Sequence, residues 1–186
     1  MKIALLSDIH ANRQAFDTCL QHARAQGAEQ FALLGDFVGY GGEPVAIVEQ
    51  AMALAKEGAL LVLGNHDAMA LAPPASPRNR SELGAQWTYD QLGRSHLAFL
   101  KSLPLTARMG HSALLVHASV DAPEQWRYVE DSDAAERSMT AAQAIDPAIR
   151  YVFCGHVHAQ ALYFLTPTAK LMRFNPEPGV PVPVPP

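Results

Sequence analysis

Five short polar signatures follow apolar, strand-like runs. Asp8-Ile9-His10 follows Ile3 to Ser7, Gly35-Asp36 follows Phe31 to Leu34, and Gly64-Asn65-His66-Asp67 follows Ala59 to Leu63. His117 follows Ala113 to Val116, and Gly155-His156-Val157-His158 follows Tyr151 to Cys154. Carboxylate, imidazole and amide donors without a thiolate suit borderline divalent metals such as Mn, Fe, Co or Zn. Each signature alone has a plainer reading. A lone His117 behind an apolar run is more often a hydrogen-bonded core residue than a ligand, Asp36 alone would begin a turn, and Asn65 alone would cap a helix. The ordered set is far more specific, because the carboxyl ends of strands in an open α/β sheet deliver distant side chains to one crevice. His156 and His158, two apart on an extended strand, share a face. Asp67 beside His66 matches the pairing in which a carboxylate orients an imidazole.

The elements that must position these groups alternate between strand-like and helical periods, which favours an α/β architecture. After the first strand, Ala15, Phe16, Cys19, Leu20 and Ala23 fall on one helical face, with Gly27 as a stop. Pro44 opens a second helix through Leu54 that Gly58 closes. Pro73, Pro74 and Pro77 make Leu71 to Arg80 a non-helical surface excursion. Ser81 is expected to cap a helix carrying Leu83, Trp87 and Leu92, with Trp87 in the core, and Ser95 to cap a shorter one through Leu100. An Ala-rich helical stretch runs from Ala134 to Ala144, and the chain shows no internal repeat.

Composition sets limits. The 186 residues suit one domain that can bury a core. A net charge of -4 without a Lys/Arg run disfavours nucleic-acid and anionic-membrane surfaces. No apolar stretch approaches the ~20 residues of a spanning helix, and Asp8 interrupts the first apolar run too early for a signal peptide. Two cysteines, Cys19 and Cys154, make no disulfide framework, so the expected location is the cytoplasm.

The signatures D-x-H, G-D, G-N-H-[DE], H and G-H-x-H, in this order from Asp8 to His158, resemble the calcineurin-like metallophosphoesterase superfamily. The resemblance implies a four-layer α/β sandwich of two packed mixed sheets flanked by helices, and a two-metal hydrolase of phosphate mono- or diesters. It implies that Asp8, His10, Asp36 and His158 hold one divalent ion and that Asp36, Asn65, His117 and His156 hold the second, with Asp36 as the bridge. A metal-bridging hydroxide would be the nucleophile and His66 the general acid, with Asp67 beside it in the catalytic set. The substrate is a small phosphoester, contacted by Asn65 and His66, by Asn12 as cap of the first helix, and by Tyr40 at the mouth of the site. For Asn12 a cap without substrate contact, and for Tyr40 a simple turn residue, are the competing readings. His22, His96 and His111 lie outside the pattern, and Arg78 and Arg80 read as solvated loop arginines.

Departures from larger relatives narrow the subclass to the compact bacterial-type phosphoesterases. The phosphate-gripping arginine of G-D-x-x-D-R-G is absent from Gly35-Asp36-Phe37-Val38-Gly39-Tyr40, and Gly39 stands where an iron-tyrosinate centre would need Tyr. The domain is expected over 1–174 and a Pro-rich tail over 175–186, where six of the last eleven residues are proline and exclude a central strand. Relatives usually add closing strands after G-H-x-H, so the chain is either a shortened form or closed differently. An unclosed sheet edge leads to the expectation of a homo-oligomer. The alternative to an enzyme is a noncatalytic phosphate-ligand binding or scaffold module on the same fold.

Overall fold

Strand β2 (Gln30–Leu33) shows how the molecule is layered. Phe31 and Leu33 join an apolar cluster with Phe16, Leu20, Ile47 and Val48, whereas Ala32 and the following Leu34 join another with Val62 and Leu115. Successive side chains of a strand point to opposite faces, so an unbroken apolar run marks a strand covered on both sides. The computed structural model describes residues 2–166, 168 and 170–183. Strands β1 (Ile3–Leu6), β2 and β3 (Leu60–Leu61) form a sheet in that order, parallel throughout. Strands β4 (Thr106–Met109), β5 (Ala113–Val116) and β6 (Tyr151–Phe153) form a second, antiparallel between β4 and β5 and parallel between β5 and β6.

Helices α1 (Arg13–Ala25) and α2 (Pro44–Lys56) cover the outer face of the first sheet. The two sheets meet through Ala32, Leu34, Val62 and Leu115, and Ala142 of the last helix, here α6 (Ser132–Ile145), packs on Leu114 and Val116 behind the second. This is the four-layer sandwich expected, with the mixed character confined to the second sheet. Helix α1 stops at Gly27 and α2 at Gly58 as anticipated: Ala28 N–H donates to Ala23 O and Ala59 N–H to Leu54 O, both at 3.0 Å.

Several local expectations change. Helix α3 (Asn65–Leu71), which the sequence reading missed, begins inside the third signature and delivers the chain to the Pro-containing loop. Helix α4 (Arg80–Gln91) is capped by Asn79, whose side chain accepts Glu82 N–H at 2.9 Å; Ser81 lies in its first turn and turns its hydroxyl to Met69 Sδ. The buried face of this helix is Ala85 and Thr88, continued by Leu92, which leaves Trp87 44% exposed rather than in the core. Helix α5 (Arg94–Ser102) follows Gly93, whose N–H donates to His96 Nδ1 at 3.1 Å, so Ser95 caps nothing. Strand β4 was not foreseen. Past β6, β7 (Leu162–Leu165) and β8 (Leu171–Phe174) pair as a separate antiparallel hairpin, with β8 against α6. Residues 175–183 of the Pro-rich tail are neither helix nor strand, and 184–186 lie outside the described residues.

Candidate metal centre

The segments that follow β1, β2, β5 and β6 turn sharply at one end of the sandwich. Five candidate ligands there hold left-handed backbone angles, with φ of 56° at Asp8, 50° at His10, 53° at Asp36, 68° at His156 and 57° at His158. Such conformations persist only where the surroundings over-determine them, and they cluster at functional sites. Backbone bonds between the turns hold them: His10 N–H donates to Asp36 O at 2.9 Å, Gly155 N–H to His117 O at 2.9 Å, and His156 N–H to the Asp8 carboxylate at 3.0 Å. Two glycines permit the approach. A Cβ on Gly64 would lie 2.1 Å from Asp36 Oδ1, and one on Gly155 would lie 1.8 Å from Ser7 Oγ.

Ligand atoms then fall into overlapping groups. Asp8, His10 and His158 form one, Asp36, His117 and His156 another, and Asp36 also groups with His10 and His66. His10 Nε2 and His158 Nε2 are 3.0 Å apart, His158 Nε2 is 3.1 Å from Asp8 Oδ1, and His117 Nε2 is 3.0 Å from Asn65 Oδ1. Donors about 2.0–2.2 Å from a common ion sit roughly 3 Å from one another, so these spacings suit divalent ions.

Hydrogen bonds fix which nitrogen each imidazole presents. His10 Nδ1–H donates to Val38 O at 3.2 Å and His117 Nδ1–H to Leu34 O at 2.7 Å, which leaves Nε2 of each for a metal. His156 is reversed: Nε2–H donates to Trp126 O at 2.9 Å and Nδ1 remains. Burial, the largest influence on each, pulls His10, His66 and His156 below the ordinary histidine value. At His117 burial acts the same way, but the Asp36 carboxylate outweighs it and the net shift is upward. Asp36 is held below the usual carboxylate range: burial opposes ionisation, and the bond to His117 prevails.

Asp67 acts differently from the expectation. Its oxygens accept Val38 N–H at 3.1 Å and Gly64 N–H at 2.9 Å, so it ties two site loops together through backbone instead of orienting a ring. Burial, reinforced by Asp36, pushes its carboxyl up to about 7. His66 packs against both His10 and Tyr40, with ring centroids at 5.1 and 4.5 Å, and these two rings also meet each other at 4.6 Å; Tyr40 is 73% exposed at the mouth. Asn12 Oδ1 caps α1 by accepting Ala15 N–H at 3.1 Å, and the residue lines the same cleft as Asp8 and His10. Arg78 reaches Glu82 and Arg80 opens α4, consistent with solvated arginines.

Residues 1–160 match the family model described as calcineurin-like phosphoesterase. The chain belongs to this family. An uncharacterized protein of Methanocaldococcus jannaschii is 30% identical over 164 residues, spanning 84% of this chain and 62% of that protein. The crystal structure of a metallophosphoesterase from Sphaerobacter thermophilus is similar at a TM-score of 0.71 and 31% identity, over 89% of this chain and 63% of the other. The chain thus spans less than two thirds of the length of either relative. A hypothetical protein of Pyrococcus horikoshii shares the fold at a TM-score of 0.64 and 18% identity, over 93% and 86% of the two chains. Calcineurin-like phosphoesterases are generally metal-dependent phosphoester hydrolases that typically use two divalent ions, and this member has the donor groups for them. Among its described residues, no helix is long and apolar enough to cross a membrane.

Two residues of this calcineurin-like phosphoesterase escaped the sequence reading. Trp126, which holds His156 through its carbonyl, and Tyr128, stacked on His156 at 4.0 Å and 20°, sit between β5 and α6. They follow a single 3-10 turn at Pro123–Gln125 and have no periodicity. The available signal was two aromatics set among polar residues in Glu124 to Glu130.

Proposed function

We propose that this chain hydrolyses phosphate mono- or diesters at a pair of divalent ions. The observation that carries the reading is the orientation of Asp36. Its Oδ1 accepts His66 N–H at 2.9 Å, which leaves Oδ2 3.8 Å from His10 Nε2 and 3.3 Å from His117 Nε2, so one oxygen faces both donor groups. Asp8, His10, Asp36 and His158 would hold one ion and Asp36, Asn65, His117 and His156 the other, drawn from Mn, Fe, Zn or Co. When bound, such a pair lowers the pKa of water toward ~7 and offsets the charge of a phosphate.

The chain's own residues supply the rest. Asn65, which lines one cleft, would contact the phosphate, and Asn12 and Tyr40, which line the other, would contact the ester from the α1 side. His66 would protonate the departing oxygen. Burial is the largest influence and lowers its pKa, while the Asp36 carboxylate acts in the opposite direction. Asp67 ties Gly64, at the start of the helix that carries His66, to Val38.

Purified protein given Mn should release nitrophenol from p-nitrophenyl phosphate or from bis(p-nitrophenyl) phosphate. No turnover of either by protein carrying two ions would favour a noncatalytic phosphate-binding module.

A further inference from the structure

Two clefts flank the centre. One, of about 340 Å³, is lined by Asn65, Ala68, Met69, Trp126, Tyr128 and His156. The other, of about 650 Å³, includes Asp8, His10, Asn12 and Tyr40. Both volumes fall in the range of small-molecule sites. They share no lining residue, and each borrows ligands assigned to only one of the two ions. A phosphomonoester has one organic arm and would fill one cleft. We propose that the substrate class is a phosphodiester with one flat, apolar-faced arm such as a nucleoside: that arm is retained in the Trp126–Tyr128 cleft, while the leaving arm lies in the Tyr40 cleft. This rests on the phosphoesterase reading above.

The first cleft is built as a shelf for a ring. Tyr128 presents one face to His156 at 4.0 Å and, being 55% exposed, turns the other outward. The segment is fixed from behind, since Arg127 donates to Asp121 at 2.8 Å and to Gln125 at 2.7 Å while the Trp126 carbonyl is engaged by His156. Across the cleft, α3 presents Asn65, Ala68 and Met69 on one face, by the three- and four-residue spacing of a helix. Ala68 leaves room there, and Met69 offers an adaptable, polarizable surface. Stacking on such platforms tolerates any base, because every base has a π-face.

The direction of the two arms follows from His66. Its ring packs against Tyr40 and His10, so the proton is delivered on the Tyr40 side. In the first cleft, by contrast, the imidazole present is His156, whose Nε2–H is already committed to Trp126. The oxygen of water bonds to phosphorus as the bond from phosphorus to the leaving arm's oxygen breaks. That oxygen takes the His66 proton and departs as an alcohol, the attacking water releases a proton to solvent, His66 regains one from solvent, and the retained arm keeps its phosphate as a monoester.

The test compares three esters with the same leaving group on the Mn-loaded full chain: thymidine 5′-(p-nitrophenyl phosphate), methyl p-nitrophenyl phosphate and p-nitrophenyl phosphate. The nucleoside diester should exceed the methyl diester in kcat/KM by about tenfold, the scale expected of one base stacking on an aromatic platform. Ala68→Leu, which fills the cleft with a good helix former, and Tyr128→Ala, which removes the shelf, should each collapse that ratio toward one, mainly through KM. Metal content is measured in both variants. A wild-type ratio near one, a parallel loss for all three esters at full metal occupancy, or a preference for the monoester would overturn the two-arm proposal and leave the phosphoesterase reading standing. Turnover of none of the three with two ions bound would sink both.

Discussion

The Asp36 oxygen that lies 3.8 Å from the His10 nitrogen and 3.3 Å from the His117 nitrogen has no counterpart elsewhere in the proposed ligand set, since Asp8 belongs to one donor group alone. Asp36→Asn should therefore leave the protein with neither ion tightly held, whereas Asp8→Asn should keep one. Elemental analysis after gel filtration decides it, and two retained ions in the Asp36 variant would refute the bridge. His66 calls for a different experiment. General acid catalysis contributes about 10²–10⁴-fold, and the need fades when the leaving oxygen is already a stable anion. We expect His66→Asn to depress hydrolysis of alkyl phosphate esters by about that factor while sparing nitrophenyl esters and metal content; equal slowing of both ester types would show that His66 stabilises charge instead. At this scale the gathering of the candidate donors was legible because each follows an apolar run and the set repeats at successive strand ends. Asp67 was not, because adjacency in sequence to His66 says nothing about where a helical residue points: as the third residue of α3 its carboxylate turns back to Gly64 N–H.

Elements with strong punctuation were readable and weakly punctuated ones were not. Pro44, Gly27 and Gly58 marked helix ends that the structure reproduces. The sequence reading places the cap at Ser81, and the fold places it two residues earlier, with Asn79 Oδ1 2.9 Å from Glu82 N–H. Asn79→Ala should cost about 0.5–2 kcal/mol, the usual worth of a cap, and Ser81→Ala much less. Chemical denaturation of the metal-loaded variants measures this, and a larger loss at Ser81 would contradict the assignment. Strand β4 carries Thr106 and Arg108 and no apolar run. It exists because β5 pairs with it from Thr106↔Val116 to Met109↔Ala113, a tertiary choice that no local propensity records. Trp87 fails for a related reason: a helix with polar residues on every side leaves its packed face to be chosen by its neighbours, and they chose Ala85 and Thr88.

On the scale of the whole molecule, apolar surface gathers at the far end of the chain from β1. Phe164, Leu165, Met172 and Phe174 of the β7–β8 hairpin are exposed, and β1 stands at the edge of its sheet with Leu5 also exposed. A lone hairpin is marginal in water, and an apolar edge recruits another chain. Light scattering at micromolar concentration should thus find a species larger than the 20.1 kDa monomer, which Leu165→Lys shifts back toward monomer. A monomer throughout would mean that this surface is tolerated as it stands. The left-handed turns of the ligands bear on how such a protein can change over generations. Left-handed geometry costs an L residue roughly 1–2 kcal/mol, while glycine costs about 0.5–1 kcal/mol in chain freedom. Drift to glycine at His10, His156 or His158 would consequently relax the backbone and discard a donor in one step. A lineage released from selection for metal binding would slide downhill in this way, ending as a sturdier, metal-free shell in place of an unfolded relic.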